Sequence, residues 1–153
     1  MTLRDEIQQS KPFTSLQEEA MLNIVRTSAT MTDEMEDLLK SRGVTNTQYN
    51  VLRILRGAEP DGLCRNELRD RMLTRMPDVT RLLDRMEEAG LVARSRDNED
   101  RRLVSTRITA AGRKVVDELD APLHDFHQRR MAHVSEEQLQ TLIELLTLTR
   151  DKG

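Results

Sequence analysis

Tryptophan is absent from these 153 residues, tyrosine occurs once and phenylalanine twice. With so little aromatic volume, a core has to be filled by aliphatic side chains and by the eight methionines, whose flexible thioethers adapt to irregular spaces. One cysteine, Cys64, excludes an intramolecular disulfide and a cysteine-based metal site, and is expected to behave as a small buried hydrophobe in a reducing compartment. No run of about 18 apolar residues exists to span a membrane. The stretch Met1-Thr-Leu-Arg-Asp-Glu6 lacks the apolar segment of a signal peptide, so a cytoplasmic protein without a membrane partner is expected. A Gly-rich phosphate loop, a nucleophile elbow and a metal-ligand motif are all missing, which argues against an enzyme and leaves no cofactor expected. Internal repeats and low-complexity linkers are missing as well. The length suits one domain, or one domain with an appended assembly element.

Charge is present in quantity but unevenly spread. The whole chain carries −3, whereas the segment from Arg65 to Arg107 holds eleven arginines, nine acids and no lysine, a local balance of +2. Arginine is the cation suited to bidentate contacts with phosphate and guanine, although a solvated charged surface would have the same composition.

Helix-start signals divide the chain. Thr14-Ser-Leu-Gln17, Thr45-Asn-Thr-Gln48 and Ser135-Glu-Glu-Gln138 are of the capping-box type, in which a hydroxyl accepts from the third amide and the glutamine reaches back. A weaker version, Thr2-Leu-Arg-Asp5, predicts a short leading helix cut off by Pro12. Met21, Val25, Ser28, Met31, Met35 and Leu38 then recur at helical spacing, predicting one long helix over about 15–41 that stops at Gly43. Tyr49, Leu52 and Leu55 share a face of the next helix, which ends where Pro60-Asp-Gly62 supplies turn chemistry. A short helix carries Leu68 and Met72, a break follows at Leu73-Thr-Arg-Met-Pro77, and another helix turns Val79, Leu82, Leu83 and Met86 inward before Gly90. Pro77 fits its first turn, and Asp78 there favours the positive end of the helix dipole. From Leu91 the period becomes alternating: Leu91–Arg96 and Leu103–Ile108 read as strands around a polar tip, Asp97–Arg102. Thr109 caps a second long helix with Val115, Val116, Leu119, Leu123, Phe126 and His127 on one side, bent or interrupted near Pro122. The last helix, from Ser135, is leucine-rich.

Two short helices joined by a tight turn and followed by a two-stranded hairpin make the order of a winged helix-turn-helix. The expected fold is therefore mainly α with a small β-hairpin wing. With Val79, Leu82, Leu83 and Met86 inward, Asp78, Arg81, Asp84, Arg85 and Glu88 face out. Arg81 and Arg85 then either reach base edges in a major groove, with Arg75 just before the helix, or pair with Asp78, Asp84 and Glu88 as solvated salt bridges. Arg101 and Arg102 at the hairpin tip favour the first reading, because a wing can enter the adjacent minor groove.

The runs Thr45-Asn-Thr-Gln-Tyr-Asn-Val-Leu52, Val79-Thr-Arg-Leu-Leu-Asp-Arg-Met-Glu-Glu-Ala-Gly-Leu-Val-Ala-Arg94, Asp97-Asn-Glu-Asp-Arg-Arg102 and Ile108-Thr-Ala-Ala-Gly112 resemble the MarR family of bacterial regulators. The likeness covers about residues 14–150 and is most specific from Val79 to Gly112. It implies a winged helix-turn-helix core between long N- and C-terminal helices that interlock two subunits. It also implies a transcription regulator, expected to be a repressor, that binds pseudo-palindromic double-stranded DNA and is commonly released by a small-molecule effector. By the same resemblance the recognition helix runs from about Pro77 to Ala89, Arg102 enters the minor groove and Asp100 orients it. The candidate DNA-contacting set is Arg75, Pro77, Asp78, Thr80, Arg81, Arg85, Asn98, Asp100, Arg101 and Arg102. The implied division is an N-terminal extension over 1–13, a helical dimerisation region over 14–44 and 109–153, and a DNA-binding domain over 45–108. The redox-sensing branch uses a cysteine in the first long helix and the urate-responsive branch an N-terminal tryptophan. This chain has neither, so neither signal is expected.

Other constellations carry less. His124 and His127 are three apart on a helix, with His133, Asp120 and Asp125 near in sequence, but they are expected to be ordinary surface or interface histidines rather than metal ligands. Tyr49 could face a cavity between helices and is the one candidate for touching an effector, with packing as its simpler role. A winged helix used as a protein-assembly module without DNA binding remains the alternative function.

Overall fold

The computed structural model describes residues 1–96 and 104–151. The chain divides into two compact units, Met1–Asp117 and Glu118–Gly153. Its elements are α1 (Leu3–Glu6), α2 (Leu16–Lys40), α3 (Asn46–Gly57), β1 (Leu63–Cys64), α4 (Arg65–Arg71), α5 (Val79–Glu88), β2 (Val92–Arg96), β3 (Val104–Ile108), α6 (Ala110–Met131) and α7 (Glu136–Arg150). Among the described residues, no helix is long and apolar enough to cross a membrane. The expected hairpin tip, with Asn98, Asp100, Arg101 and Arg102, lies outside the described residues.

Capping chemistry sets most boundaries. The Thr45 hydroxyl accepts from the Gln48 amide at 3.2 Å, while the Gln48 side chain accepts from the Thr45 amide at 3.1 Å. Ser135 and Gln138 repeat this reciprocal pair ahead of α7, and Thr2 with Asp5 does so ahead of α1. The start of α2 departs from expectation. Ser15, not Thr14, is the cap, and the carboxylate of Glu18, not the amide of Gln17, takes both the N–H and the hydroxyl of Thr14, at 2.6 and 2.7 Å. A carboxylate accepts more strongly than an amide, so the box shifts by one residue. Pro12 does not end α1 either. That helix stops at Glu6, and Gln8 adopts a left-handed φ of 52° while the Arg4 guanidinium gathers the carbonyls of Gln9 and Ser10.

The helix ends are as specific. Gly43 (φ +70°) and Gly90 (φ +73°) each close a helix with a pair of nested hydrogen bonds: Gly43 to Lys40 with Val44 to Leu39, and Gly90 to Glu87 with Leu91 to Met86. This arrangement satisfies carbonyls that the helix itself leaves free and needs a left-handed residue that glycine adopts without a Cβ penalty.

In the first unit, Leu39 of α2, Val51, Leu52 and Leu55 of α3, Leu68 of α4, Leu83 and Met86 of α5 and Val92 of β2 form the centre, each no more than 2% exposed. The buried face of α3 is rotated slightly from the expected one, since Val51 is buried and Tyr49 only half-buried. The turn after α4 is fastened to this core by a partly buried polar contact, the Leu73 amide donating to Oδ1 of the buried Asn50 at 2.9 Å.

The wing is more than a hairpin. Three antiparallel strands run in the order β1-β3-β2, with Leu63 opposite Thr106 and Val92 opposite Ile108. The two-residue strand β1 was not expected, because alternation needs about four residues to show. Gly62 (φ +76°) makes the pairing possible: a Cβ there would lie 2.5 Å from the Thr106 carbonyl oxygen. Cys64 is correspondingly half-buried at the junction of β1 and α4 rather than a core residue.

Thr109 joins wing to helix, its hydroxyl donating to the Gly90 carbonyl at 2.6 Å and accepting from the Gly112 amide at 3.0 Å. From there α6 runs without interruption through Pro122, so the expected break is not present. In the second unit Leu119 and Leu123 are buried while His127 is exposed, and no residue of α7 is buried.

Gly112 lies where an added Cβ would overlap the Leu91 carbonyl oxygen, which is itself fixed by the Thr109 amide at 3.1 Å. Gly112→Ala should therefore destabilise the protein by about 1–3 kcal/mol in urea unfolding. The opposing gain in helix propensity of about 1 kcal/mol is too small to rescue it.

Candidate nucleic-acid interface

Helix α5 is amphipathic, and the two faces have different owners. Val79, Leu83 and Met86 are buried and Leu82 half-buried, whereas Arg81, Asp84, Arg85 and Glu88 are exposed, as the 3.6-residue period requires. The helix begins at Val79. Asp78 is its N-cap, its carboxylate accepting from the Arg81 amide at 2.9 Å, so Pro77 stands outside the helix rather than in its first turn. Asp78 is thus occupied by capping.

Two of the acids that could have neutralised the outward arginines, Asp78 and Asp84, are engaged elsewhere. Arg94, on β2, donates through Nη2 to Asp84 Oδ1 at 2.6 Å and to Glu87 Oε1 at 3.1 Å, and its backbone amide donates to Glu87 Oε2 at 2.9 Å. The hydrogen bond from Arg94 holds the Glu87 carboxyl below its ordinary range, and the Glu87 carboxylate, followed by that of Asp84, raises the guanidinium of Arg94. Among the described residues, neither Arg81 nor Arg85 has a side-chain ion pair, so the salt bridges to Asp78, Asp84 and Glu88 that charge spacing allowed do not form. An exposed, unpaired guanidinium presents a planar fork to phosphate or to the acceptor edge of guanine.

The other candidates divide. Arg75 is exposed in the turn before α5, and Thr80 is exposed on the helix, where its hydroxyl accepts from Arg65 Nη1 at 3.2 Å. Asn98, Asp100, Arg101 and Arg102 fall outside the described residues. Tyr49 is half-buried on α3. His124, His127 and His133 are exposed, and no group of three metal-ligating side chains occurs among the described residues. Arg65 and Arg94 were counted in the arginine excess, but their roles in holding Thr80 and the helix carboxylates were not read. No local spacing signals a bond across ten or fifteen residues. Both also line an open cavity of about 350 Å³ with Cys64, Thr80, Leu83 and Thr106, between α4, α5 and the wing sheet.

A helix-turn-helix from α4 and α5, backed by α3 and followed by the β2–β3 hairpin of a three-stranded wing sheet, defines a winged helix-turn-helix protein. The MarR family profile matches residues 44–104. A MarR transcription factor from Planctomyces limnophilus is 37% identical, with 90% of this chain and 99% of that one covered and a TM-score of 0.67. The S. aureus MepR–DNA complex superposes with a TM-score of 0.76 at 26% identity, covering 90% of this chain and 97% of that one. The transcriptional regulator FarR of Neisseria gonorrhoeae is 26% identical over 98 residues, which is 64% of this chain and 66% of that regulator, just under two thirds of its length. The chain belongs to the MarR family.

Because the Asp78 side chain caps α5, Asp78→Ala should cost about 1 kcal/mol of stability. Asp78→Asn, which keeps an acceptor oxygen, should stay close to the parent. Paired urea titrations measure both, and equal stability of all three proteins would remove the capping role.

Proposed function

We propose that this protein is a sequence-specific transcription regulator, acting as a repressor, which binds a pseudo-palindromic operator as a homodimer and is released by a small-molecule effector. The observation that carries the reading is the outward face of α5, where Arg81 and Arg85 stand exposed and without ion pairs among the described residues. A helix offering free guanidinium groups beside a wing suits a major groove and its flanking phosphates. MepR, a relative of the same fold, has been solved bound to DNA. Arg75, Thr80, Arg81 and Arg85 belong to the recognition surface in this reading, with Asn98, Asp100, Arg101 and Arg102 on the wing. The assembly-module alternative would need an apolar outer face, and this one is charged.

Two stretches of apolar surface support the dimer. On α2, Leu16, Met21 and Val25 are 81%, 67% and 62% exposed, and on α7 Ile143, Leu145 and Leu148 are also exposed. Several large apolar side chains left in water along one helix suit an interaction site, and a second copy is the partner that a two-half-site operator requires. Residues 14–44 and 109–153 form the dimerisation region in this reading, 45–108 bind DNA and 1–13 form an extension. The cavity of about 350 Å³ beside α5 has the size of a small-ligand site and supports an effector.

The wing and the helix should separate by kind of contact. Arg81→Ala should cost about 1–3 kcal/mol per subunit and relax preference at one operator position, as expected of a base contact. Arg102→Ala should weaken binding to all sequences evenly and flatten the salt dependence, since each neutralised phosphate contributes roughly 0.9 to the slope of log affinity against log salt. Fluorescence anisotropy on the upstream region of the chain's own gene and on scrambled duplexes, across a salt series, measures both. Binding of both variants indistinguishable from the parent would overturn this recognition surface, and a parent that binds no duplex would favour the assembly module instead.

Sedimentation velocity at micromolar concentration should show a dimer. A monomer there would remove the two-half-site reading.

A further inference from the structure

The Arg94 clamp joins strand β2 to helix α5. Its guanidinium is half-buried, with the side chain 24% exposed, and it spans Asp84 and Glu87, which lie one turn apart on the outer flank of α5. Asp84 is also three residues after Arg81, a spacing at which an aspartate and an arginine on a helix attract each other. In the folded chain Arg94 holds Asp84 Oδ1 at 2.6 Å, and among the described residues Arg81 and Asp84 form no ion pair.

We propose that Arg94 is a positioning residue for DNA recognition, which withholds Asp84 from Arg81 and thereby keeps the Arg81 guanidinium free for the duplex. The proposal rests on the DNA-binding reading above. Without Arg94, Asp84 is released on the same helix flank and Arg81 has an acidic neighbour within reach. Arg81 would then have to give up an intramolecular pair before meeting a base or phosphate, and the freed carboxylate would face a polyanion. Glu87 serves as the second anchor of the clamp, since the backbone and the side chain of Arg94 both donate to it.

The test is a mutant cycle on the dimeric full-length protein, with circular dichroism and sedimentation as controls for fold and assembly. Arg94→Met, which keeps an unbranched apolar stem and loses the charge, should weaken operator binding about tenfold, a loss typical of a misplaced charge at an interface. Adding Asp84→Asn should restore affinity to within about threefold, because the competing carboxylate is gone although the clamp is not rebuilt. Asp84→Asn alone should bind at least as tightly as the parent. Arg94→Met in an Arg81→Ala background should cause little further loss, since the residue it protects is already missing.

Folded Arg94→Met that binds like the parent overturns the proposal, as does a loss that Asp84→Asn fails to restore, which is what a purely structural clamp would give. Should Arg94→Met fail to fold, Arg94→Lys carries the same cycle, since one ammonium lacks the fork needed to hold both carboxylates. A parent that binds no duplex even at low salt overturns the DNA-binding reading itself, whereas a parent that binds while the cycle shows no coupling overturns only the role of Arg94.

Discussion

Burial of Val79, Leu83 and Met86 against the α3–α4 core sets the rotation of α5 about its own axis, and the character of the exposed surface depends on that rotation. A helix has one apolar stripe, so seating it chooses which residues point away. Here the residues pointing away include Arg81 and Arg85 together with Asp84 and Glu88, with the cap residue Asp78 at one end and the glycine closure at Gly90 at the other. Rotation by one residue, about 100°, would bury Thr80 or Asp84 and expose Leu83. The cost of burying an unpaired carboxylate makes that alternative inaccessible.

Polar contacts from neighbouring elements add to the seating of α5. Arg94 grips the outer flank, Arg65 reaches from α4 to Thr80, and the Thr109 hydroxyl ties the Gly90 carbonyl to the start of α6. Each bond is modest because its partners are partly in water. Together they join strand, turn and helix into one body, so that a ligand in the neighbouring cavity would meet the same residues that hold the helix. The wing itself gains a third strand only because Gly62 lets β1 approach β3 more closely than a side chain would permit.

The long helices pose a different physical problem. Their apolar residues are numerous, yet in α2 the N-terminal half keeps Leu16, Met21 and Val25 in water while burial is concentrated at Leu39. Helices whose caps are well made and whose apolar faces remain uncovered are stable as local structure and incomplete as packing. That combination suits an element whose partner is another chain.

Much of this was legible in the sequence. Capping boxes at Thr45 and Ser135, glycines at 43 and 90 and the change from helical to alternating period at Leu91 are local signals, because a cap bonds within four residues and periodicity is a property of a short window. They marked the end of α2, the start of α3, the end of α5, the start of α7 and the beginning of β2 closely. The resemblance to the MarR family rested on the same stretches. Where local signals competed, as between Thr14 and Ser15 or at Pro12 and Pro122, the boundary depended on which acceptor was stronger or what the surrounding helix tolerated, and the sequence did not say. Only the tertiary structure decided the third strand, whose two residues need β3 as a partner, and the fate of the charges. By spacing, Asp84 belongs to Arg81; in the folded chain it belongs to Arg94, ten residues away on a strand. Sequence determines which charges exist and on which side of a helix they stand, but an ion pair is settled by distance in space, and that distance exists only once the strand has come to lie beside the helix.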